Sequence, residues 1–218
     1  MPDPPAARPP VTLGGSLVAA QLAVLRDAAT PPSRFRRAAA ALGALVIAEA
    51  LRGLETVPGR VDTPVGPAAV ASPARRLTIV PVLRAGLALL EPALALAPAE
   101  PRVGFIGLAR DETTLLPTRY LESLPAGLED DDVLLLEPMV ATGGSSVAAI
   151  DTLVARGARS IGVAALIAAP EGLEAVGRSH PGVQITCAAV DPGLDDRGFI
   201  VPGLGDAGDR LYAQPERA

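Results

Sequence analysis

From residue 77 onward, short apolar runs rich in β-branched residues alternate with Ala-rich stretches. The apolar runs predict buried strands, and the stretches between them predict helices. This alternation is typical of an α/β domain with a mostly parallel central sheet flanked by helices. The predicted strands are 77–82, 103–108, 133–136, 161–168 and 183–190, and the predicted helices between them are 87–96, 146–155 and 171–176.

Two Ala- and Leu-rich stretches precede the sheet and predict an N-terminal helical arm. The first runs from Leu17 to Asp27 and the second from Ser33 to Leu54, with the Ser33 side chain as a candidate N-cap. Arg36 and two neighbouring arginines fall in the first turns of the second helix, where they oppose the helix dipole. These arginines are therefore candidates to face a partner or an anion.

Proline dominates the first ten residues, MPDPPAARPP, and predicts an extended or disordered lead-in. We assign residues 1–12 to this lead-in and residues 13–218 to a single domain, because 218 residues suit one compact core. The lead-in lacks the apolar stretch of a signal peptide, and no run of about 18 apolar residues predicts a membrane span. A cytoplasmic protein without membrane contact is expected.

The composition narrows the class of protein further. Apolar residues make up 49% of the chain and aromatic residues only 2%, so the core must be aliphatic. A net charge of -5 and a pI of about 5.0 argue against a nucleic-acid partner. The single cysteine, Cys187, excludes an internal disulfide and a multi-cysteine zinc site, and we expect it to be a small core residue.

The candidate chemistry follows the predicted strands, where ligands of open α/β sheets bind beyond the carboxyl ends. The strongest signal is the segment 134–145, LLLEPMVATGGS, in which a buried strand runs through an acidic residue into a small-residue loop and a helix. Its adjacent glycines allow close approach of a ligand, and Thr142, Ser145 and the helix amides can hold a phosphate. Glu137 could bind sugar hydroxyls. The alternative is a strand–helix turn in which glycine serves only the geometry.

Two arginines are candidates for binding an anion. Arg84 follows the strand 77–82, and its guanidinium can donate two parallel hydrogen bonds to a pyrophosphate. Arg110 follows the strand 103–108 in a polar segment that reaches Pro117 and could close as a flap over phosphates. A solvated surface arginine is the alternative for Arg84, and a solvated hairpin is the alternative for the Arg110 segment.

The C-terminal segment 198–210, GFIVPGLGDAGDR, combines glycines, a proline and carboxylates. A loop this tight and apolar can present backbone N–H and C=O groups to a flat heterocycle. A plain cluster of turns is the alternative, although a turn needs fewer fixed elements.

Taken in order, the segments VPVLRAG, RDETT, EPMVATGGS, AAPEG and GFIVPGLGDAGDR resemble the uracil phosphoribosyltransferase family of type I phosphoribosyltransferases. The resemblance runs from about Val80 to the C-terminus, and its last motif is specific to this family. The N-terminal third resembles the family weakly, mainly through Leu25-Arg26-Asp27 and Phe35-Arg36. The resemblance implies a type I phosphoribosyltransferase-like fold with an N-terminal helical arm and a C-terminal base-binding loop or hood.

The resemblance also implies a reaction, in which uracil and phosphoribosyl pyrophosphate (PRPP) give UMP and pyrophosphate. Arg84 and Arg110 would contact the pyrophosphate, and Asp206 would face PRPP or its metal, so these three are the candidate catalytic residues. Mg²⁺ would be carried by PRPP without direct protein ligands. The remaining implied PRPP contacts are Glu137, Pro138, Met139, Val140, Ala141, Thr142, Gly143, Gly144 and Ser145, and the implied uracil contacts are Ile200, Gly205, Asp206 and Ala207.

Members of this family are usually homodimers or higher homo-oligomers, and some are activated by GTP, so the resemblance implies both properties as candidates here. Several residues depart from the family pattern; among them, Glu137 stands where Asp is usual, and Phe199 stands where Tyr is usual. Two other functions stay open. One is a weakly active or inactive PRPP-binding paralogue with a regulatory role, and the other is a phosphoribosyltransferase for a different base.

Overall fold

A computed structural model of the chain describes residues 7–110 and 117–212. The helices are α1 Ser16–Arg26, α2 Pro32–Ala50, α3 Leu90–Leu96, α4 Gly144–Ala155, α5 Pro170–Ser179 and α6 Ala207–Tyr212, with 3-10 turns at Ala85–Leu89 and Leu128–Asp130. The strands are β1 Val11–Thr12, β2 Thr56–Asp62, β3 Pro67–Pro73, β4 Arg76–Leu83, β5 Arg102–Val103, β6 Phe105–Arg110, β7 Pro117–Ser123, β8 Asp131–Leu136, β9 Met139–Val140, β10 Ser160–Ala168, β11 Gln184–Val190, β12 Gly193–Leu194 and β13 Ile200–Val201.

The central sheet has the strand order β1-β11-β10-β8-β4-β6-β7, and the short strands β5 and β9 pair with β4 and β10. All these pairs are parallel except β6–β7. After β4, the chain adds β6 and β7 on one side of this strand. It then returns and adds β8, β10 and β11 on the other side of β4. The strand order therefore reverses between β4 and β8, which is where sheets of this kind bind ligands.

Helices cover both faces of this sheet, as the sequence pattern predicts. Along β8, Leu134 and Leu136 join the core under α2, whereas Val133 and Leu135 join the core under α4 and α5. Successive side chains of a strand point to opposite faces, so a strand buried on both faces must be apolar throughout. The mostly parallel sheet flanked by helices is thus confirmed.

Cys187 lies in β11 and is fully buried in the core under α4 and α5. Burial raises the pKa of its thiol to about 11. A thiol in this state is a small hydrophobic side chain with little nucleophilicity, so the prediction of a core cysteine is confirmed.

The N-terminal arm differs from the prediction at its helix ends. The Ser33 cap is wrong: α2 begins at Pro32, Pro31 occupies the N-cap position, and no side chain caps the helix. Proline favours the first helical turn because its fixed φ suits the helix and it lacks the N–H that would have no partner there. The helix ends at Ala50, ahead of the predicted Leu54. Val11–Thr12, in the predicted lead-in, are extended and pair with β11.

Strands β2 and β3 form a separate antiparallel hairpin that the sequence pattern did not predict. Most of its residues are exposed, and the apolar side chains of Val57, Val61 and Val65 are among them. A hairpin that buries neither face needs no regular alternation of apolar and polar residues, so the sequence contained no signal for these two strands. None of the helices in the described part of the chain has the length and apolarity needed to span a lipid bilayer.

Candidate functional site

A cleft of about 540 Å³ opens at the carboxyl edge of the sheet, beside the point where the strand order reverses. It brings together four segments that are far apart in the sequence. Its walls are Leu83, Arg84 and Ala85 after β4, Leu108, Ala109 and Tyr120 from β6 and β7, Met139 and Ser145 around the loop after β8, and Asp206, Gly208 and Asp209 at the C-terminal loop.

Two other cavities have a similar size, about 600 and 550 Å³. Neither cavity is lined by a residue that the sequence analysis identified as a candidate for catalysis or ligand binding. The cleft at the strand reversal is therefore the candidate site, because it combines the expected position in the fold with the nominated residues.

The loop between β9 and α4 has the geometry of a phosphate-binding turn. Gly143 occupies the N-cap position of α4 with a left-handed backbone, φ +80°, that favours glycine. The exposed Thr142 hydroxyl accepts a long hydrogen bond, 3.5 Å, from the Gly144 N–H. The first amides of a helix have no intrahelical acceptors, so the first turn of α4 can donate to a phosphate beside Thr142 and Ser145.

This loop is held against α5 by a contact between two glycines. A Cβ on Gly143 would lie 2.8 Å from the carbonyl oxygen of Gly172 and 2.8 Å from Ala175 Cβ. A Cβ on Gly172 would press against the carbonyl oxygens of Ala141 and Val140, the latter at 2.7 Å. Gly172 belongs to the AAPEG segment, which the resemblance includes without a role. The structure shows that it sets the position of the loop.

Arg84 extends into the cleft from the end of β4. Its guanidinium is 46% exposed and lies 3.4 Å from Asp209 Oδ1, and the peptide bond that precedes it is cis. Asp206 faces the same space and starts α6, because its Oδ1 accepts the N–H of Asp209 at 3.0 Å. A guanidinium and two carboxylates thus meet on one wall. A partly exposed cation of this kind is available to an anionic ligand.

Glu137 is buried instead of lining the cleft. Its side chain is 9% exposed, and its Oε2 has no hydrogen-bond partner among the described residues. Burial raises the pKa of this carboxyl to about 8. An unpaired carboxyl in an apolar setting favours its neutral form, so Glu137 is mostly protonated at neutral pH.

The nominated base-binding residues share one short loop, residues 200–207, but differ in exposure. Ile200 and Ala207 are buried, whereas Gly205 and Asp206 are exposed. Of these four, Asp206 lines the cleft. The side chains of Ile200 and Ala207 belong to the core under α2, so they can serve a ligand only through backbone groups.

The backbone of Arg110 ends β6 and pairs with Pro117 at the start of β7. The predicted flap thus has two antiparallel strands as its base. The flap residues 111–116, with Asp111 and Glu112, lie outside the described residues, as does the Arg110 side chain.

Two polar side chains on the cleft wall were missed by sequence reasoning. Asp209 is part of the GDAGDR segment, but only Asp206 was nominated in it. Tyr120 lies on β7 and is well exposed. Aromatic residues are scarce in this chain, and that scarcity is the sequence signal that could have drawn attention to Tyr120. Tyr120 packs on Gly107, where a Cβ would approach its ring to 2.5 Å.

Comparisons with known proteins agree with this geometry. A family model described as uracil phosphoribosyltransferase matches residues 12–213. The chain is 47% identical to uracil phosphoribosyltransferase of Corynebacterium glutamicum (strain R) over 196 residues, 90% of this chain and 92% of that protein. It is 46% identical to the Thermus thermophilus uracil phosphoribosyltransferase, covering 90% and 94%. The solved structure of the AQ2163 protein from Aquifex aeolicus superposes with a TM-score of 0.89 at 35% identity, covering 95% and 99%.

Proposed function

The chain belongs to the uracil phosphoribosyltransferase family, and we propose that it joins uracil to PRPP in the cleft at the strand reversal. The observation that carries this placement is the convergence of Arg84, the loop before α4 and the Asp206 turn on one cavity. An anion-binding loop, a partly exposed cation and a rigid backbone loop are the three elements that a sugar phosphate, its leaving group and a flat base require.

The 5′-phosphate of PRPP is assigned to the turn at Thr142 and the first amides of α4, where hydrogen bonds and the helix dipole favour an anion. The pyrophosphate is assigned to Arg84, which would exchange its contact with Asp209 for phosphate oxygens. Arg110 at the base of the flap is assigned to the same group. Glu137 would meet the ribose hydroxyls only if its carboxyl turned out of its buried position.

The reaction breaks the C1–O bond to pyrophosphate and forms a C1–N1 bond to uracil, whose N1 proton is released to solvent. Negative charge builds on the leaving group while C1 becomes oxocarbenium-like. A guanidinium that already contacts the leaving oxygens in the PRPP complex stabilises that charge as it develops, and such preorganised charges supply the largest part of many rate enhancements. This is the role assigned to Arg84.

Mg²⁺ fits this site as a companion of PRPP. In the two described ranges, no three His, Cys, Asp or Glu side chains group around one point. The chain would therefore supply few ligands, and pyrophosphate oxygens would supply most, with Asp206 and Asp209 facing the ion. When bound, Mg²⁺ neutralises charge on the pyrophosphate.

The base is assigned to the backbone of the loop 200–207. Fixed amides and carbonyls can pair with the two carbonyls and the N3–H of uracil. Cytosine has an amino group at C4 and no proton on N3, so it would leave two of these groups mispaired, at a cost of roughly 1–3 kcal/mol for each buried polar group. The uracil preference is expected to come from backbone groups, so Phe199 in place of the usual Tyr is compatible with it.

A panel of bases tests this function. We expect the purified protein with PRPP and Mg²⁺ to form UMP from uracil and no nucleotide from cytosine or hypoxanthine, measured by chromatography of the products. Nucleotide from another base alone would identify a phosphoribosyltransferase of different specificity. Measurable PRPP binding with no product from any base would identify the regulatory paralogue. A parallel reaction with EDTA reports the Mg²⁺ requirement.

Gly172→Ala is expected to raise the KM for PRPP by about 30-fold, because overpacking costs about 2 kcal/mol and here displaces the phosphate loop from α5. The KM for uracil should change much less. Steady-state kinetics with each substrate varied in turn measure both constants. Gly182→Ala is the matched control, since a Cβ there meets no atom within 4 Å. An unchanged KM for PRPP would contradict the role given to Gly172.

A homodimer or higher homo-oligomer is also proposed. The hairpin β2–β3 supports it, because Val57 and Val61 are 48% and 46% exposed and Val65 is 98% exposed. Exposed apolar side chains on one element are typical of a surface that another subunit covers. A cytoplasmic location and a GTP effector stay predictions, and the first is compatible with a chain that has a single cysteine and thus no internal disulfide.

A further inference from the structure

The carboxylate of Asp191 and the guanidinium of Arg26 form a two-bond fork at the carboxyl edge of the sheet. Arg26 Nη1 donates to Oδ2 at 2.8 Å, and Nη2 donates to Oδ1 at 2.6 Å. Asp191 follows β11 and is 5% exposed. Burial raises the pKa of Asp191, but hydrogen bonds from Arg26 and the Gly203 N–H outweigh it, so the pKa is lowered. The carboxylate is charged, and the fork is a strong, directional pair.

Gly203 in the base-binding loop is bound by both members of this pair. Its N–H donates to Asp191 Oδ2 at 2.9 Å, and its C=O accepts from Arg26 Nη1 at 3.1 Å. Its φ of +60° is left-handed, and a Cβ there would collide with the carbonyl oxygen of Ile200. The two peptide groups flanking residue 203 are therefore fixed, just ahead of Asp206.

Arg210 fixes the next residue of the same loop. Its Nη1 donates to the carbonyl oxygens of Leu204, at 2.8 Å, and Leu25. Its Nη2 donates to the Asp27 carbonyl at 2.6 Å, and its guanidinium lies over the Phe35 ring, 4.3 Å from the centroid. The loop is thus tied to the C-terminal end of α1 and to α2.

These contacts give a structural role to the two N-terminal segments that resemble the family. The two matching segments are Leu25-Arg26-Asp27 and Phe35-Arg36, and each contacts the C-terminal part of the chain. Arg36 provides the contact of the second segment, because its Nη1 donates to the Leu211 carbonyl at 2.6 Å. The helical arm therefore contacts a specific part of the chain, the C-terminal segment that contains Asp206.

We propose that Arg26 and Asp191 are positioning residues that hold the base-binding loop, residues 200–207, in the shape that recognises uracil. The inference rests on the proposed function, because it assigns the loop to uracil. Binding to a preformed loop avoids the entropy cost of ordering it each time, so loosening the loop weakens affinity for the base. The phosphate loop and Arg84 lie on other segments, which neither residue contacts in the described structure. Affinity for PRPP should therefore change less than affinity for uracil, because Asp206 is the one residue of this loop that is assigned to PRPP or its metal.

Arg26→Lys is expected to raise the KM for uracil about tenfold and to leave the KM for PRPP within about twofold. Lysine keeps a positive charge beside Asp191, but one ammonium group cannot reach both carboxylate oxygens and the Gly203 carbonyl with the same geometry. The measurement uses the full chain, with each substrate varied at saturation of the other. Asp191→Asn is the second variant, since its amide oxygen can still accept the Gly203 N–H, whereas the charged two-bond pair with Arg26 is lost.

Arg178→Lys is the matched control. Arg178 makes an exposed ion pair with Glu174 on α5, so both KM values should match those of the wild type. A general loss of stability would affect both substrates alike, whereas a loosened loop affects uracil much more than PRPP. Folded Arg26→Lys and Asp191→Asn proteins with unchanged KM for uracil, or with equal rises for both substrates, would overturn the inference. A wild-type protein that makes no UMP would instead contradict the proposed function.

Discussion

Arg84→Ala is expected to lower kcat for UMP formation by about 100- to 1000-fold, the loss that follows removal of one preorganised donor to a developing charge. The guanidinium is assigned to the pyrophosphate, where negative charge grows as the C1–O bond breaks. Its contact in the free protein is an ion pair with Asp209 at 3.4 Å, and both side chains are partly exposed. Such pairs contribute little to stability, so the melting temperature should stay within about 3 °C of the wild type.

Two further variants sharpen this prediction. Arg84→Lys keeps the charge but loses the planar fork, so we expect an intermediate kcat. Arg178→Ala removes an arginine of similar or greater exposure near the end of α5, on the opposite edge of the sheet, and should leave kcat unchanged. Wild-type turnover by a folded Arg84→Ala protein would remove Arg84 from the reaction.

Glu137→Gln is expected to make the protein more stable than the wild type at pH 8 and to lose this advantage as the pH falls toward 5. The pKa of Glu137 is about 8 in the folded protein, above its ordinary value of 4.5. The folded state therefore binds the proton more tightly than the unfolded state, and stability falls as the pH rises between these two values. The wild type loses about 1.4 kcal/mol per pH unit in this window, or about 4 kcal/mol by pH 8.

Glutamine keeps the size of the neutral acid but cannot ionise, so the difference in unfolding free energy between the two proteins isolates this one group. Chemical denaturation at several pH values without substrate measures that difference. Glu174→Gln is the matched control, because Glu174 is exposed on α5, and its difference from the wild type should be small at every pH. A pH-independent difference for Glu137→Gln would mean that the carboxyl is solvated or paired in the folded protein.

The strands and helices of the sheet were predictable because burial on both faces imposes aliphatic runs and Ala-rich helices. Strand β8 and helix α4 were found within a few residues of their observed ends for this reason. The hairpin β2–β3 was not found, since its residues are exposed and no packing constraint shapes their pattern. Strand β7 was also missed, because it pairs at the sheet edge and follows a polar segment.

The candidate site was predictable where one segment contains both the scaffold and the chemistry. The turn at Thr142 is of this kind, since strand, glycines and helix start are consecutive. Asp209 and Tyr120 were not identified, because their role depends on facing Arg84 and the cleft from other elements. Glu137 was expected to face the sugar, and the structure instead buries its side chain.

The sequence by itself determined the α/β class, the aliphatic core and the candidate segments for phosphate and base, because these properties depend on neighbouring residues along the chain. Tertiary structure decided which distant groups act together. Arg26 and Asp191 are 165 residues apart, yet they share two hydrogen bonds and hold Gly203 between them. No local pattern encodes such a pair, since its energy depends on a distance and an orientation that only the folded sheet and helical arm provide.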